Sequence, residues 1–307
     1  MQGGRRPEKT SVFTEPERGQ LRDGDTECMV VSDTSTWVEG TEGRWRMGLF
    51  APSPRLAPWV KALTCYDERW PEPVSRRQVA TSGAVVFVTW GAPIEVSIGA
   101  VSSSFRAFVA GVQDRPAHTG HEGCQDGIGI HLSALGVSAL LGVAGAELAN
   151  CCVELDEVMG RGAEVLVDQL SGVETPGERM HLVEAALAAR LGGGPRLSPE
   201  VVWVWEKLCS QPWAKIADLA AEVGWSRTRH ASRFTEQVGI SPKRFARVVR
   251  FEGARRLLAE GSSSLAEVAT GAGYYDQAHL SRDISALAGC TPSELAGELG
   301  SGGPPDP

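Results

Sequence analysis

The stretch Gly273-Tyr-Tyr-Asp-Gln-Ala-His-Leu-Ser-Arg282 has the pattern of a tight turn followed by a helix. An apolar helical face over 265–269 precedes it, Gly273 permits the turn, and Asp276 can cap a second helix that continues to about Leu287. Two short helices joined by such a turn are typical of a helix-turn-helix unit, whose second helix can enter the major groove of DNA.

The same pattern occurs about fifty residues earlier. An apolar face over 216–223 leads to Gly224, and Ser226 can cap a helix over 227–238. Between the two units, 242–259 has the pattern of one long helix of about 27 Å at 1.5 Å per residue. A connector of that length could hold two recognition helices near one DNA turn apart, about 34 Å. Two units in tandem predict a DNA-binding domain more specifically than one.

Three helix starts in the last third of the chain share one chemistry. Each places a capping hydroxyl before a first-turn proline, and the three are Ser198-Pro199, Ser241-Pro242 and Thr291-Pro292. They predict an all-α domain over 198–299. A glycine-rich linker over 192–197 separates this domain from what precedes it, and a disordered tail is expected over 300–307.

The net charge of −8 conceals a basic segment. Between Arg227 and Arg256 the chain has nine Lys or Arg and two Glu, a net charge of +7, so the remainder carries −15. A basic segment at the first unit suits the phosphate backbone of DNA, whereas a solvated helix face is the alternative for a charge run taken alone. The acidic remainder is expected to keep DNA away from the rest of the chain.

Residues 45–191 have a pattern of strands followed by helices. Short apolar runs, about ten residues apart, predict strands at 83–90, 94–98, 105–109 and 127–132. Such spacing is typical of an antiparallel barrel or sandwich. Helical spacing follows at 163–170 and 179–191. The predicted fold class is therefore α+β, with a β-barrel or sandwich and a helical extension before the all-α domain.

The N-terminal segment and the cysteines bear on the compartment. Residues 1–44 are polar and lack apolar periodicity, which predicts a disordered tail. The sequence contains neither a secretory-signal pattern nor an apolar run of about 20 residues, the length of a membrane span. Seven cysteines without paired spacing predict reduced thiols, and hence a cytoplasmic protein.

The C-terminal domain resembles the AraC/XylS family of transcription regulators over about 197–297. The matching segments include Ile216-Ala-Asp-Leu-Ala220, Glu222-Val-Gly-Trp-Ser226, Gly273–Arg282 and Gly289-Cys-Thr-Pro292. The resemblance implies that helices 227–238 and 276–287 enter successive segments of the major groove. The matched positions that could face DNA are Arg227, Thr228, Arg229, Arg233, Gln277, His279 and Arg282. Arg can bind guanine and Gln adenine, and the alternative for each side chain is a solvated or structural role.

Three positions depart from the pattern of the family. His230 stands where a core Leu is usual, Ser232 where an Arg is common, and Ile284 where a Phe is usual. We expect His230 to be a packed core histidine, with a loosened first unit as the alternative. These departures affect the expected affinity of the first unit more than its fold.

Four segments carry a second, looser match: Pro54-Arg-Leu56 with Val60, Phe108-Val-Ala-Gly-Val-Gln-Asp-Arg-Pro116, Gly127-Ile-Gly-Ile-His-Leu132, and Glu147-Leu-Ala-Asn150 with Leu155. Through them the segment from Leu49 to Leu191 resembles the N-terminal domain of many actinobacterial AraC-type regulators. This resemblance implies a cupin-like β-domain with helices that senses a small-molecule effector or dimerises. Trp70, Trp90 and Phe108 could line an effector pocket, and ordinary core packing is the alternative for each.

One group of residues suggests a different class of protein. His118, His121 and Cys124 are of metal-ligand types, but they lie in a predicted loop and lack the usual cupin pattern, so we expect no metal and no cofactor. The adjacent Cys151 and Cys152 could form a thiol sensor, and burial in a helix or turn is the expectation we favour.

The sequence thus predicts a sequence-specific DNA-binding transcription regulator, an activator or a repressor, and not an enzyme. The expected partners are double-stranded DNA, RNA polymerase, a small-molecule effector and possibly a second copy in a homodimer, with no membrane. The alternatives are a metal-dependent cupin-type enzyme and a protein-interaction module in which the helix-turn-helix domain is vestigial.

Overall fold

The computed structural model describes residues 29–33, 38–39, 43–261 and 264–300. Its N-terminal part consists of antiparallel strands followed by helices, and its C-terminal part is helical, so the predicted α+β class is confirmed. The strands are β1 Met29–Asp33, β2 Val38–Glu39, β3 Arg44–Ala51, β4 Val60–Arg69, β5 Val74–Gln78, β6 Gly83–Thr89, β7 Ile94–Ile98, β8 Val101–Phe105, β9 Ala107–Ala110, β10 Ala117–His121, β11 Cys124–Ser133 and β12 Cys152–Glu154.

Two antiparallel sheets form the β-domain, the name used here for the described residues up to 191. The larger sheet has the order β1-β3-β4-β11-β6-β9-β12, with β2 paired to β3, and the smaller has the order β5-β10-β7-β8. The alternation in β11 explains its central position, because Ile128, Ile130 and Leu132 are at most 1% exposed. Gly127 permits close strand packing, since a Cβ there would lie 2.4 Å from the backbone oxygen of Val88.

Helices cover the β-domain and form the C-terminal part. They are α1 Ala134–Gly136, which continues as a π-helical turn Val137–Leu141, α2 Gly145–Leu148, α3 Leu155–Met159, α4 Arg161–Ser171, α5 Pro176–Arg190, α6 Pro199–Ser210, α7 Ile216–Glu222, α8 Arg227–Val238, α9 Pro242–Ala259, α10 Leu265–Gly271, α11 Gln277–Ala288 and α12 Pro292–Gly300. The apolar side chains of α4 and α5 pack in one core with those of β4, β6 and β11. In the part of the chain that the structure describes, no helix is long and apolar enough to cross a bilayer.

Several strand predictions needed correction. The run predicted at 105–109 divides at Arg106, whose guanidinium donates to the Gly91 carbonyl at 2.8 Å, because the chain passes there from the smaller sheet to the larger. The region after 133, predicted to be helical, contains the short strand β12, which pairs with β9. Backbone pairing at a sheet edge does not require the apolar pattern by which strands are found in a sequence.

The terminal tails are only partly described. Within the tail predicted over 1–44, β1 and β2 both pair with β3, which itself begins at Arg44, so the prediction is wrong for Met29–Asp33, Val38–Glu39 and Arg44. The rest of that prediction up to residue 42, and the tail predicted over 300–307 from residue 301 onward, lie outside the described residues. Gly300 itself is the last residue of α12.

The helix caps of the C-terminal domain are mostly those expected. The Ser226, Ser241 and Asp276 side chains accept from the third backbone N–H of their helices. Thr291 and Glu294 form the reciprocal capping box. Ser198 differs, because its hydroxyl accepts from the side-chain amide of Gln237 at 3.1 Å instead of capping α6.

The core of the helical domain extends into the β-domain. Phe234, Phe245 and Phe251, each fully buried, form its centre. The same cluster includes Ala80 and Val112 from the β-domain, which are 0% and 2% exposed. The two domains therefore share one hydrophobic core across the segment 192–197 that connects them.

Candidate nucleic-acid interface

Two helix-turn-helix units with the same turn form the C-terminal domain. In the first, Gly224 has φ of +69° and the backbone N–H of Trp225 donates to Ala220 at 2.9 Å. In the second, Gly273 has φ of +75° and the N–H of Tyr274 donates to Ala269 at 2.8 Å. The positive φ explains glycine at both turns, because a residue with a Cβ is strained in that region. The repeat seen in the sequence is thus a structural repeat.

The N-terminal turn of α8 exposes the predicted side chains of the first unit. Arg227, Thr228 and Arg229 are all exposed there, and the Arg229 guanidinium lies 5.1 Å from the centre of the Trp225 ring. This stacking holds the guanidinium beside the helix N-terminus, whose partial positive charge also attracts phosphate. One turn further along, Arg233 is half-exposed and pairs with Glu236 at 2.9 Å.

The second recognition helix, α11, presents a smaller polar set. Gln277 is exposed at its first position, and Arg282 is exposed with its Nε donating to the Ala278 carbonyl at 3.2 Å. The His279 ring is partly buried against the edge of Tyr274, with centroids 5.0 Å apart. All seven predicted residues thus lie on α8 and α11, and His279 is the least exposed of them.

His230 faces inward from α8, as expected. It is 1% exposed and lies between the rings of Trp225 and Phe234 at 6.5 and 6.3 Å. Its Nε2 has no hydrogen-bond partner among the described residues, and burial lowers the pKa of the ring below its usual value. A neutral imidazole therefore fills the position, and the domain packs around it without a charge. Of the two other departures, Ser232 is exposed and Ile284 is fully buried.

Part of the basic segment serves the fold. Arg244 pairs with Asp114 of the β-domain, and Arg247 pairs with Asp283 at 2.8 Å. The Arg250 guanidinium lies 5.5 Å from the Tyr274 ring centre. The charge offered to DNA is therefore smaller than the +7 counted in the sequence, and it includes the exposed Arg227 and Arg229 at the start of α8.

The three aromatic residues considered as pocket residues each contact a different partner. Trp70 donates from Nε1 to Glu68 at 2.7 Å, and Trp90 is covered by the Arg179 guanidinium at 4.0 Å. Phe108 stacks on Phe87 at 5.3 Å. The contacts of each are those of ordinary packing.

A buried charged cluster in the β-domain escaped the sequence analysis. Glu68 on β4 is 4% exposed and accepts from both Nη atoms of Arg76 on β5, at 2.9 and 2.5 Å. The His121 Nε2 lies 3.1 Å from the same carboxylate. Burial alone would raise the pKa of Glu68, but Arg76, His121 and Trp70 lower it to about 2. In the sequence Glu68 lies in the charged run Asp67-Glu68-Arg69 at the end of β4, which gives no sign of its burial.

The candidate metal ligands are distributed over two strands. The segment with His118 and His121, predicted to be a loop, is strand β10, because it pairs with β5 and β7. His118 is exposed whereas the side chain of His121 is 5% exposed, and Cys124 lies on β11. Within the described residues, no group of three His, Cys, Asp or Glu side chains could hold a metal ion.

The adjacent cysteines are also unlike a reactive pair. Cys152 begins strand β12, so the predicted helix or turn is wrong for this residue. Burial raises the pKa of Cys152 to about 12 and also raises that of Cys151. Both thiols are therefore protonated at neutral pH, which disfavours the thiolate that a redox sensor uses.

Comparison with known proteins gives two family matches. A model described as a helix-turn-helix domain matches residues 219–297, which include both recognition helices. A model described as a domain of unknown function, DUF6597, matches residues 49–154 of the β-domain. No curated protein matches the chain.

Three solved structures are similar to this chain. The C-terminal domain of AraT, a response regulator from Geobacillus stearothermophilus, is 22% identical, with 33% of this chain and 87% of that one covered and a TM-score of 0.32. ToxT from Vibrio cholerae is 11% identical, with 75% and 98% covered and a TM-score of 0.45. Wild-type ToxT bound to an unsaturated fatty acid, from the same organism, is 9% identical, with 77% and 99% covered and a TM-score of 0.46.

Proposed function

We propose that this chain, a DNA-binding transcription regulator with an AraC-type helix-turn-helix domain, reads its target with α8 and α11 in successive segments of the major groove. The observation that carries the proposal is the exposure of polar side chains at the N-terminal ends of both helices, after two identical turns. The proposed contacts to DNA are Arg227, Thr228, Arg229, Arg233, Gln277, His279 and Arg282.

The two recognition helices have different tasks in this proposal. Arg227 and Arg229 supply positive charge to phosphates or to guanine, and the stack on Trp225 orients Arg229. Gln277 suits adenine, because its amide can donate and accept at the same base edge. The first unit therefore contributes more of the affinity, and the second more of the discrimination between sequences.

Selection of bound sequences from random duplex DNA by the full-length chain tests this function. Gln277→Ala and Arg282→Ala are expected to lower the preference for the selected sequence, since a good base contact is worth about 1–3 kcal/mol. Arg229→Ala is expected to weaken binding to all sequences and to lower the dependence of affinity on salt. Arg161→Ala, an exposed arginine on α4, is the matched control and should bind as the wild type does. A wild-type chain without sequence preference at any salt concentration would contradict the proposal.

The β-domain is proposed to bind a small-molecule effector. An aromatic ladder crosses it, in which Tyr66, Phe87 and Phe108 are stacked at 5.1 and 5.3 Å. The Tyr66 hydroxyl is buried and has no hydrogen-bond partner among the described residues, so a ligand with a polar group would relieve that cost. Thermal-shift screening of small molecules against the wild type and Tyr66→Phe tests this; ligands that stabilise both equally would exclude a role for the hydroxyl.

We also propose that the chain has no catalytic role, acts in the cytoplasm and works with RNA polymerase, as a monomer or a homodimer through the β-domain. The support is the match of residues 219–297 to a helix-turn-helix domain, a type of domain found in transcription regulators. Sedimentation of the full-length chain with and without its selected DNA determines the number of copies on one site.

A further inference from the structure

The first recognition helix ends against the β-domain. The C-terminal end of α8 packs on α2, where a Cβ added to Gly145 would lie 2.5 Å from the Gln237 carbonyl oxygen. A Cβ on Gly239, which follows α8, would lie 3.0 Å from the Gly145 oxygen. The backbones of α2 and α8 are in close contact at this point, so the C-terminal end of α8 is fixed against the β-domain while its N-terminal turn is exposed.

The second recognition helix also ends against the β-domain. The backbone N–H of Ala80 donates to the Leu287 carbonyl near the end of α11 at 2.9 Å. A Cβ on Gly289, which follows α11, would lie 3.2 Å from the Pro116 side chain. Both recognition helices thus have a free N-terminal end and a C-terminal end that rests on the β-domain.

The helix that connects the two units is fixed to the same surface. The Glu252 carboxylate on α9 accepts from the backbone N–H and from the hydroxyl of Ser82, both at 2.7 Å. Eight residues earlier, about 12 Å along the helix at 1.5 Å per residue, Arg244 pairs with Asp114. Asp114 is 8% exposed, whereas the Arg244 side chain is 60% exposed, so a buried carboxylate is paired here with a guanidinium that reaches the solvent.

Most of these contacts come from one paired segment of the β-domain. We name it the docking ledge, residues 80–82 and 112–116. Thr81 and Gln113 exchange two backbone hydrogen bonds, at 2.9 and 3.1 Å, which join its two halves. The buried Ala80 and Val112 pack into the core of the helical domain. A segment braced in this way can hold α9 and the end of α11 as one unit.

We propose that the docking ledge sets the spacing between the two recognition helices on DNA, with Glu252 and Asp114 as positioning residues. The β-domain then contributes to DNA recognition, and the chain is selective for the distance and angle between two major-groove segments. This inference rests on the proposed function, because spacing has a meaning only if both helices bind DNA.

The test compares DNA probes that differ only in spacing. Full-length chain is titrated with the selected duplex and with duplexes that carry one base pair more or fewer between the two contacted segments. Each change moves one segment by about 3.4 Å and rotates it by about a tenth of a turn. The wild type is expected to lose about tenfold or more in affinity on either altered probe.

Variants at Glu252 separate positioning from general stability. Glu252→Ala removes the bonds to Ser82 and is expected to reduce the penalty for altered spacing to about threefold or less, while Glu252→Gln, which can still bond to Ser82, retains most of it. Glu260→Ala, exposed just after the same helix, is the matched control with a wild-type penalty. Asp114→Asn is the second variant and also serves if Glu252→Ala fails to fold. It is likewise expected to reduce the loss of affinity on the probes with altered spacing.

The outcomes distinguish the two proposals. If the wild type binds no sequence selectively, the proposed function itself fails. If it binds selectively but accepts all spacings equally, or if folded Glu252→Ala and Asp114→Asn keep the wild-type penalty, the ledge does not set the spacing and this inference is overturned while the function stands.

Discussion

Gly145→Ala is expected to destabilise the full-length chain through a single added methyl group. The three nearest atoms to a Cβ at this position are all backbone atoms of α8, at 2.5, 2.7 and 2.9 Å. Ordinary contact begins at about 3.4 Å, so α2 and α8 must move apart by about 1 Å. Overpacking of this kind costs about 1–3 kcal/mol, and because Gly145 is the first residue of the short helix α2, the gain in helix propensity from Gly to Ala offsets only a small part of it.

The measurement is urea unfolding and a thermal melt of wild type, Gly145→Ala and Gly177→Ala. Gly177 is the second residue of α5 and has open space around its Cβ position, so the same substitution there should be neutral or slightly stabilising. For Gly145→Ala we expect a net loss of about 1–2 kcal/mol, or roughly 2–6 °C in Tm. A Gly145→Ala chain as stable as the Gly177→Ala chain would refute the close backbone contact between the two domains.

Three further perturbations have definite signs. Gly253→Ala, in the middle of α9 with open space around its Cβ position, should stabilise the chain by about 0.8–1 kcal/mol in urea unfolding, and an unchanged midpoint would contradict this. Burial and the nearby Lys61 lower the pKa of His131 to about 4. The free energy of unfolding should therefore fall by up to about 3 kcal/mol as the pH falls from 6.5 to 4. His131→Asn should remove this pH dependence, whereas His118→Asn, at an exposed position, should keep it. The pKa of Glu68 is about 2, so its contribution to stability is complete above pH 4.5 and is lost as the pH falls towards 2. The difference in unfolding free energy between the wild type and Glu68→Gln should therefore decrease between pH 4.5 and pH 2. A difference that stays constant over this range would contradict the prediction.

Local patterns predicted the helical domain well. The turn glycines, the caps Ser226 and Asp276 and the length of α9 all follow from interactions between residues close in sequence. Helix caps and turns are encoded within a few residues, and the internal repeat doubled the signal. The seven proposed DNA contacts came from the resemblance to the AraC/XylS family, and the structure places them on α8 and α11.

Contacts between distant parts of the chain were not predicted. The approach of Ala80 to Leu287 and of Ser82 to Glu252 joins residues about 200 and 170 positions apart, and no periodicity reports such pairs. The Glu68 cluster likewise depends on a strand pairing that the sequence does not specify. The strands within the predicted tail were missed because edge strands are stabilised by backbone pairing, which any sequence can provide. The split at Arg106 was missed because the passage of the chain from one sheet to the other leaves no break in the apolar run.

The shared core has a practical consequence for dissecting the molecule. Cutting the chain at 192–197 would remove Ala80 and Val112 from the cluster that surrounds Phe234 and Phe251, and it would leave apolar surface on both fragments. A fragment that starts near residue 196 is then expected to be less soluble than the intact chain, and a chimera that exchanges the β-domain for a distant relative needs a matching ledge. The two domains are therefore not interchangeable modules, because the linker over 192–197 divides the sequence but does not divide the hydrophobic core.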